Sequence, residues 1–177
     1  MKLEFNIARS KADIRDSVFE YSHSDALDWD QVEGKIVNSV FKNSGNDSIY
    51  ICIGNVRLID NRFDSCGDKC ISAGEGTLVS VNNAQFINCN IGVAVKDTSH
   101  LKMQNGVFDS CRIAWNFFMK KWRWEKGGFG TVQGSRFYNS KEADVLGDKL
   151  SRIDFVRSVP KKLKIKGKIE VGLLYQK

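Results

Sequence analysis

Phenylalanine recurs in this chain at a nearly constant interval. It stands at positions 19, 41, 63, 86, 108 and 137, and again at 155 in a weaker copy, so the spacings run 22, 22, 23, 22, 29 and 18 residues. Each copy opens a Phe-x-x-(Ser/Cys) motif: Phe19 to Ser22, Phe41 to Ser44, Phe63 to Cys66, Phe86 to Cys89, Phe108 to Cys111, Phe137 to Ser140 and Phe155 to Ser158. A fixed period of this length marks a solenoid, in which one coil cannot bury its own apolar face and must stack on its neighbours.

Alignment on the phenylalanines brings out further apolar columns. Five residues before come Ile14, Ile36, Leu58, Val81, Met103, Val132 and Leu150; seven before come Ala12, Gly34, Val56, Val79, Leu101 and Gly130. Seven or eight after come Leu27, Ile49, Ile71, Val93 and Trp115, and two further on Trp29, Ile51, Ala73, Val95 and Phe117. Within a coil these residues alternate with polar ones, the period-two pattern of strands with one face inward. Stacking such coils in parallel buries every column at once, and the handedness of parallel crossovers selects the right-handed form. The expected fold is all-β, a single-stranded right-handed parallel β-helix solenoid of about seven coils of ~22 residues. Trp29 and Trp115 fall in interior columns and read as core. Two residues past the phenylalanine stand Asn43, Ser65, Asn88, Ser110 and Asn139, side chains suited to hydrogen-bonding the backbone of a tight turn.

The repeat organises residues 1–177 as a single domain with two irregularities. The long fifth interval places an insertion loop at 118–130, and the pattern frays into a last coil or cap at 159–177. Neither end carries an obvious capping helix, so rod ends or the 118–130 loop are candidate surfaces for a homo-oligomer. The net charge of +6 gathers at 120–126 and 161–168 without a nucleic-acid recognition motif, so no nucleic-acid partner is expected. No apolar run approaches the length of a membrane span, and the first residues lack the apolar core of a signal peptide. The chain as given reads as cytoplasmic, or as a fragment of an exported protein.

Cys66, Cys89 and Cys111 share one repeat position, whereas Cys52 and Cys70 lie elsewhere. Rungs about 4.8 Å apart are wider than the ~3.8 Å that disulfide-bonded Cβ atoms favour, so a ladder of free thiols is expected.

Coils reading Gly-Asp-Lys-Cys-Ile-Ser-Ala-Gly-Glu-Gly (67–76) and Asn-Ile-Gly-Val-Ala-Val-Lys-Asp (90–97), each after Phe-x-x-Cys, resemble the right-handed parallel β-helix repeats of pectate-lyase-like proteins. They are most similar to the NosD-type and carbohydrate-binding/sugar-hydrolase repeat group, over residues 3 to 158. The resemblance implies the fold. The superfamily includes polysaccharide lyases, epimerases, hydrolases, phage tailspikes and inert scaffolds, and no catalytic motif of its pectate lyases, polygalacturonases or mannuronan epimerases is matched.

Two constellations are candidate sites. Asp25, Asp47 and Asp68 fall at one turn on adjacent coils, with Asp28 and Asp30 on the outer side of the next strand. Stacked carboxylates suit Ca²⁺ or an acid/base pair for sugar chemistry, and equally suit local turn N–H groups. Lys120, Lys121, Trp122, Arg123, Trp124 and Lys126 crowd the insertion. If that segment is extended, both tryptophans face one side, offering aromatic faces and cations to an acidic glycan or a protein partner; the other reading is that one tryptophan folds back over the rod and the charges are solvated. The leading expectation is a non-enzymatic binding or scaffold module. The alternatives are a polysaccharide lyase, epimerase or hydrolase acting on acidic glycans, and a purely structural self-assembling module.

Overall fold

The computed structural model describes residues 5–166 and 170–174, with side chains to residue 164. The chain winds through three parallel sheets in about seven coils. The first sheet has eight strands, from Phe5–Ala8 through Leu27–Asp30, Ile49–Cys52, Lys69–Gly74, Ile91–Lys96, Ile113–Phe118 and Ala143–Asp148 to Leu163–Lys166. The second, also eight-stranded, starts at Lys11–Arg15 and reaches Glu170–Leu174; the third has six short strands, Val18–Glu20 to Arg136–Tyr138.

The repeat columns become the core. Phe41, Phe63, Phe86 and Phe108 pair in register and are fully buried. From Phe19 to Phe137 their rings stack face to face, with centroids 4.5–5.5 Å apart. Leu27, Ile49, Ile71, Val93 and Trp115 form one inward row of the first sheet, and Trp29, Ile51, Ala73, Val95 and Phe117 the other. Parallel pairing repeats identical side chains at one strand spacing, which is why a shared residue type at a fixed phase produces a continuous stack.

The corners explain the rest of the period. Most are a single residue with positive φ between two strands; Glu75 with Gly76, and Asp97 with Thr98, are two in succession. Between the third and first sheets these are Tyr21, Asn43, Ser65, Asn88, Ser110 and Asn139. Asp16, Asn38, Asp60, Asn83 and Asn105 turn the second sheet into the third, and Arg9, Gln31, Ile53 and Glu75 the first into the second. Such a residue reverses the chain while its N–H stays in the inter-coil ladder: Asn43 donates to Asp64 O at 3.0 Å and Ser65 to Ile87 O at 3.0 Å. Inward hydroxyls cap the N–H groups beside the corners. Ser39 Oγ accepts from Ser17 N, Ser99 Oγ from Thr77 N and Ser151 Oγ from Gly128 N, all at 3.1–3.2 Å.

Several expectations need correction. Phe155 does not extend the aromatic stack. It pairs beside Val132 in the second sheet, in the column assigned to Leu150, which is exposed. Asn139, Ser65 and Ser110 bond aspartate side chains rather than turn backbone, so their positions answer to the left-handed conformation.

The free-thiol ladder is also corrected. Cys66 is joined to Cys70, with Cα atoms 5.4 Å apart, while Cys89 and Cys111 are buried and free. The partner sits across the turn Gly67-Asp68-Lys69 in the same coil, not on the next rung. The 159–177 segment adds Leu163–Lys166 to the first sheet and Glu170–Leu174 to the second, with 167–169 and 175–177 outside the described residues.

Two outcomes test this packing. Phe86→Ala should cost about 3–5 kcal/mol in urea unfolding, and Phe19→Ala, half-exposed at the end of the stack, clearly less; equal costs would remove the stack as the source. A Cβ on Gly67 would stand 2.3 Å from the Gly45 carbonyl oxygen one coil away. Gly67→Ala should therefore lower the urea midpoint, by about 1–3 kcal/mol in stability.

Candidate functional site

The insertion lies on the corner between the first and second sheets and is held down by two acids, Asp97 fully buried and Asp148 partly so. Asp97, fully buried, accepts from the N–H groups of Lys120 and Lys121 through Oδ1 at 2.7 and 2.9 Å. Its Oδ2 is buried without a partner among the described residues. Asp148 Oδ2 accepts from Met119 N at 2.7 Å, and Thr98 N donates to Gly127 O at 2.9 Å. The strand thus leaves the stack at Phe118 and rejoins it at Phe129 with both ends fixed.

Between those ends Trp122–Trp124 form one 3-10 turn, closed by Glu125 at φ 60°. A 3-10 turn rotates roughly 120° per residue, so side chains two apart diverge. Trp122 is 84% exposed, whereas the Trp124 ring lies 3.7 Å from where a Cβ on Gly76 would stand. Trp124 folds back over the rod, as one of the two readings had it, and the placement of both indoles on one side of an extended segment is corrected for this reason. Lys120, Arg123 and Lys126 of the same loop are exposed, and Lys121 turns inward to pair with Glu75.

Beneath and beside this loop is a polar cluster that the sequence reading missed. On the outward face of the first sheet, Tyr50 and Ser72 share a row, and Cys52 and Gly74 share the next. Lys96 Nζ reaches back across Gly74 to Ser72 Oγ, at 2.9 Å, and lies 5.1 Å from the centre of the Tyr50 ring. A Cβ on Gly74 would meet Lys96 Cε at 3.4 Å, Tyr50 Oη at 3.5 Å and Lys96 Nζ at 3.6 Å. Glu75 binds Lys121 through one oxygen and accepts from the Cys52 thiol through the other, at 2.5 Å. Ile53, next to Cys52, is a β-branched residue held at φ 50°.

The electrostatics follow from burial. Lys96 is 3% exposed. Desolvation, with Lys120 and Lys69 nearby, lowers its pKa to about 8 against weaker support from Asp47 and Asp97. Burial and then the bond to Glu75 push the Cys52 thiol up to about 12. Burial opposes ionisation of Glu75, but Cys52 and Lys121 hold it below the usual carboxylate range. Tyr50 is raised by burial and by the neighbouring Cys52 and Glu75, and stays a proton donor. The available signal was Lys96 itself, a lysine one coil beyond Gly74 and beside the Tyr50 and Ser72 row.

The acid stack is arranged differently. Asp25 Oδ1 accepts from Asp47 N at 2.9 Å and Asn46 Nδ2 at 2.7 Å; Asp47 Oδ1 accepts from Lys69 N at 3.1 Å. Each carboxylate therefore caps the turn of the following coil. Lys69 Nζ lies 3.3 Å from Asp47 Oδ1 and also binds Asp68. Burial raises the Asp47 pKa and Lys69 opposes the rise. Among the described residues, the donor atoms that gather within 4.8 Å of one another are the sulfurs of Cys66, Cys70 and Cys89, not these carboxylates.

No curated protein matches the chain in sequence. The family described as the right-handed beta helix region matches residues 5–156, most of the chain and every complete coil of the three sheets. With its parallel sheets and its repeat both accounted for, the chain belongs to the right-handed β-helix family.

Proposed function

We propose that this β-helix is a binding module whose corner loop presents Trp122, Lys120, Arg123 and Lys126 to an acidic glycan. The observation that carries the reading is the exposure of Trp122 on a turn whose flanks are fixed by Asp97 and Asp148. A large aromatic face held open to solvent, with exposed cations on the same loop, suits a sugar ring bearing carboxylates. Fixing the loop in advance reduces the ordering cost of binding. The carboxylates of Asp25, Asp47 and Asp68 are engaged with turn N–H groups and Lys69, so an acid/base or Ca²⁺ site there requires their release.

Calorimetric titration with a uronate polymer and with a neutral polymer of similar length tests the reading. Binding to the uronate polymer should weaken with added salt, and Trp122→Ala should weaken it at least roughly tenfold. Affinity unchanged in Trp122→Ala, or equal for the neutral polymer, would overturn it. Asp97→Ala should raise proteolytic cleavage within 119–128 and weaken binding although every contact residue remains. An unaltered cleavage rate would mean that Asp97 does not hold the loop.

A further inference from the structure

A lysine whose ammonium lies in the protein rather than in water, against one serine hydroxyl, is an uncommon arrangement. The other lysines of this face are differently placed: Lys69 has Asp47 and Asp68, and Lys121 has Glu75. Lys96 instead has Ser72 Oγ at 2.9 Å and the Tyr50 ring. Ser72 is fully buried, in register between Tyr50 on the preceding coil and Ala94 on the following one. Gly74, which has no side chain, leaves the space into which the Lys96 amine and the Tyr50 hydroxyl both project.

We propose that Ser72 and Lys96 are a nucleophile and general-base pair for acyl transfer from O-acyl esters, with Tyr50 as the donor to the developing oxyanion. The proposal is independent of glycan binding by the loop. Serine hydroxyls are weak nucleophiles and require a base within hydrogen-bond reach, and a desolvated lysine serves in serine–lysine pairs. Neutral Lys96 Nζ accepts the Ser72 Oγ proton as Oγ bonds to the ester carbonyl carbon. Tyr50 Oη donates to the carbonyl oxygen while that oxygen carries negative charge. The carbon–oxygen bond to the alcohol then breaks, and Lys96 returns the proton to the leaving alkoxide. Water then loses a proton to Lys96 as its oxygen bonds to the acyl carbon, the bond from that carbon to Ser72 Oγ breaks, Lys96 returns the proton to Oγ, and the carboxylic acid leaves. Protons and electrons balance without a further reactant.

Ser72 is fully buried beneath Lys96, so an ester reaches it only when Lys96 and Tyr50 swing aside. The Lys96 stem crosses Gly74, and Tyr50 and Lys96 both rotate about side-chain bonds without backbone change. Because the base acts when neutral, the reaction follows deprotonation of Lys96 and rises with pH. Lys69 and Lys120 favour that deprotonation, Asp47 and Asp97 resist it, and Glu75 with Lys121 completes the charged surroundings.

The experiment treats the whole chain with p-nitrophenyl acetate across pH 6 to 10, following release of p-nitrophenol, with peptide mapping of the acetyl group. The expected result is acetylation at Ser72, with a rate rising through about pH 8 and level above it. Ser72→Ala should abolish that adduct. Lys96→Arg keeps a cation of similar reach but stays protonated, and should slow acetylation at least roughly a hundredfold. A rate without an inflection, or p-nitrophenol release unchanged in Ser72→Ala or in Lys96→Arg, would overturn the proposal. If Lys96→Arg fails to fold, the wild-type pH profile and p-nitrophenol release in Ser72→Ala decide the matter alone.

Discussion

The molecule depends on corners that turn the chain without interrupting the hydrogen bonds between coils. A left-handed residue costs roughly 1–2 kcal/mol when it is not glycine. Here its N–H remains bonded to the coil above, as at Asn43, Ser65 and Asn88, so the backbone stays satisfied through the bend. The inward hydroxyls of Ser39, Ser99 and Ser151 complete the pairing beside the corner. With that polar frame closed, the aromatic and aliphatic rows inside are free to repeat at one strand spacing. Leaving buried N–H groups unpaired at every corner would outweigh much of the packing gain.

The same frame concentrates chemistry on one edge. The corner between the first and second sheets carries Glu75, Asp97 and the inserted loop, and the outward strand face beside it carries Tyr50, Cys52, Ser72 and Lys96. The loop is fastened to the stack by Asp97 and Asp148, whose carboxylates accept from its backbone N–H groups. Charge is therefore sorted: exposed cations project from the loop, and buried titratable groups face one another below it. On the neighbouring turn, Lys69 has a different character: one cation between two carboxylates, its pair with Asp47 linking adjacent coils.

The fold was legible because a coil reports itself repeatedly. Phe41, Phe63, Phe86 and Phe108 share type and phase, and any one of them locates the others. The corners were less legible because position, not chemistry, unites Arg9, Gln31, Ile53 and Glu75. The Cys66–Cys70 link escaped a comparison made along the rungs, since it crosses a turn within one coil. The exposed cations and Trp122 of the loop were legible as a cluster, but the direction of Trp124 was set by the 3-10 turn and by the bare surface of Gly76. Ser72 and Lys96 meet because a long side chain reaches back diagonally across a glycine, a contact that no column alignment brings out.

The unbroken column of phenylalanine rings has a consequence for how such a chain changes length. Neighbouring rungs are nearly interchangeable, since each ring meets another like itself above and below. Whole coils can be gained or lost in evolution with the new junction already complementary, whereas a change of a few residues within a strand shifts every later side chain out of phase. Small insertions are then confined to corners, and the corner holding residues 119–128 is where this rod has accepted one.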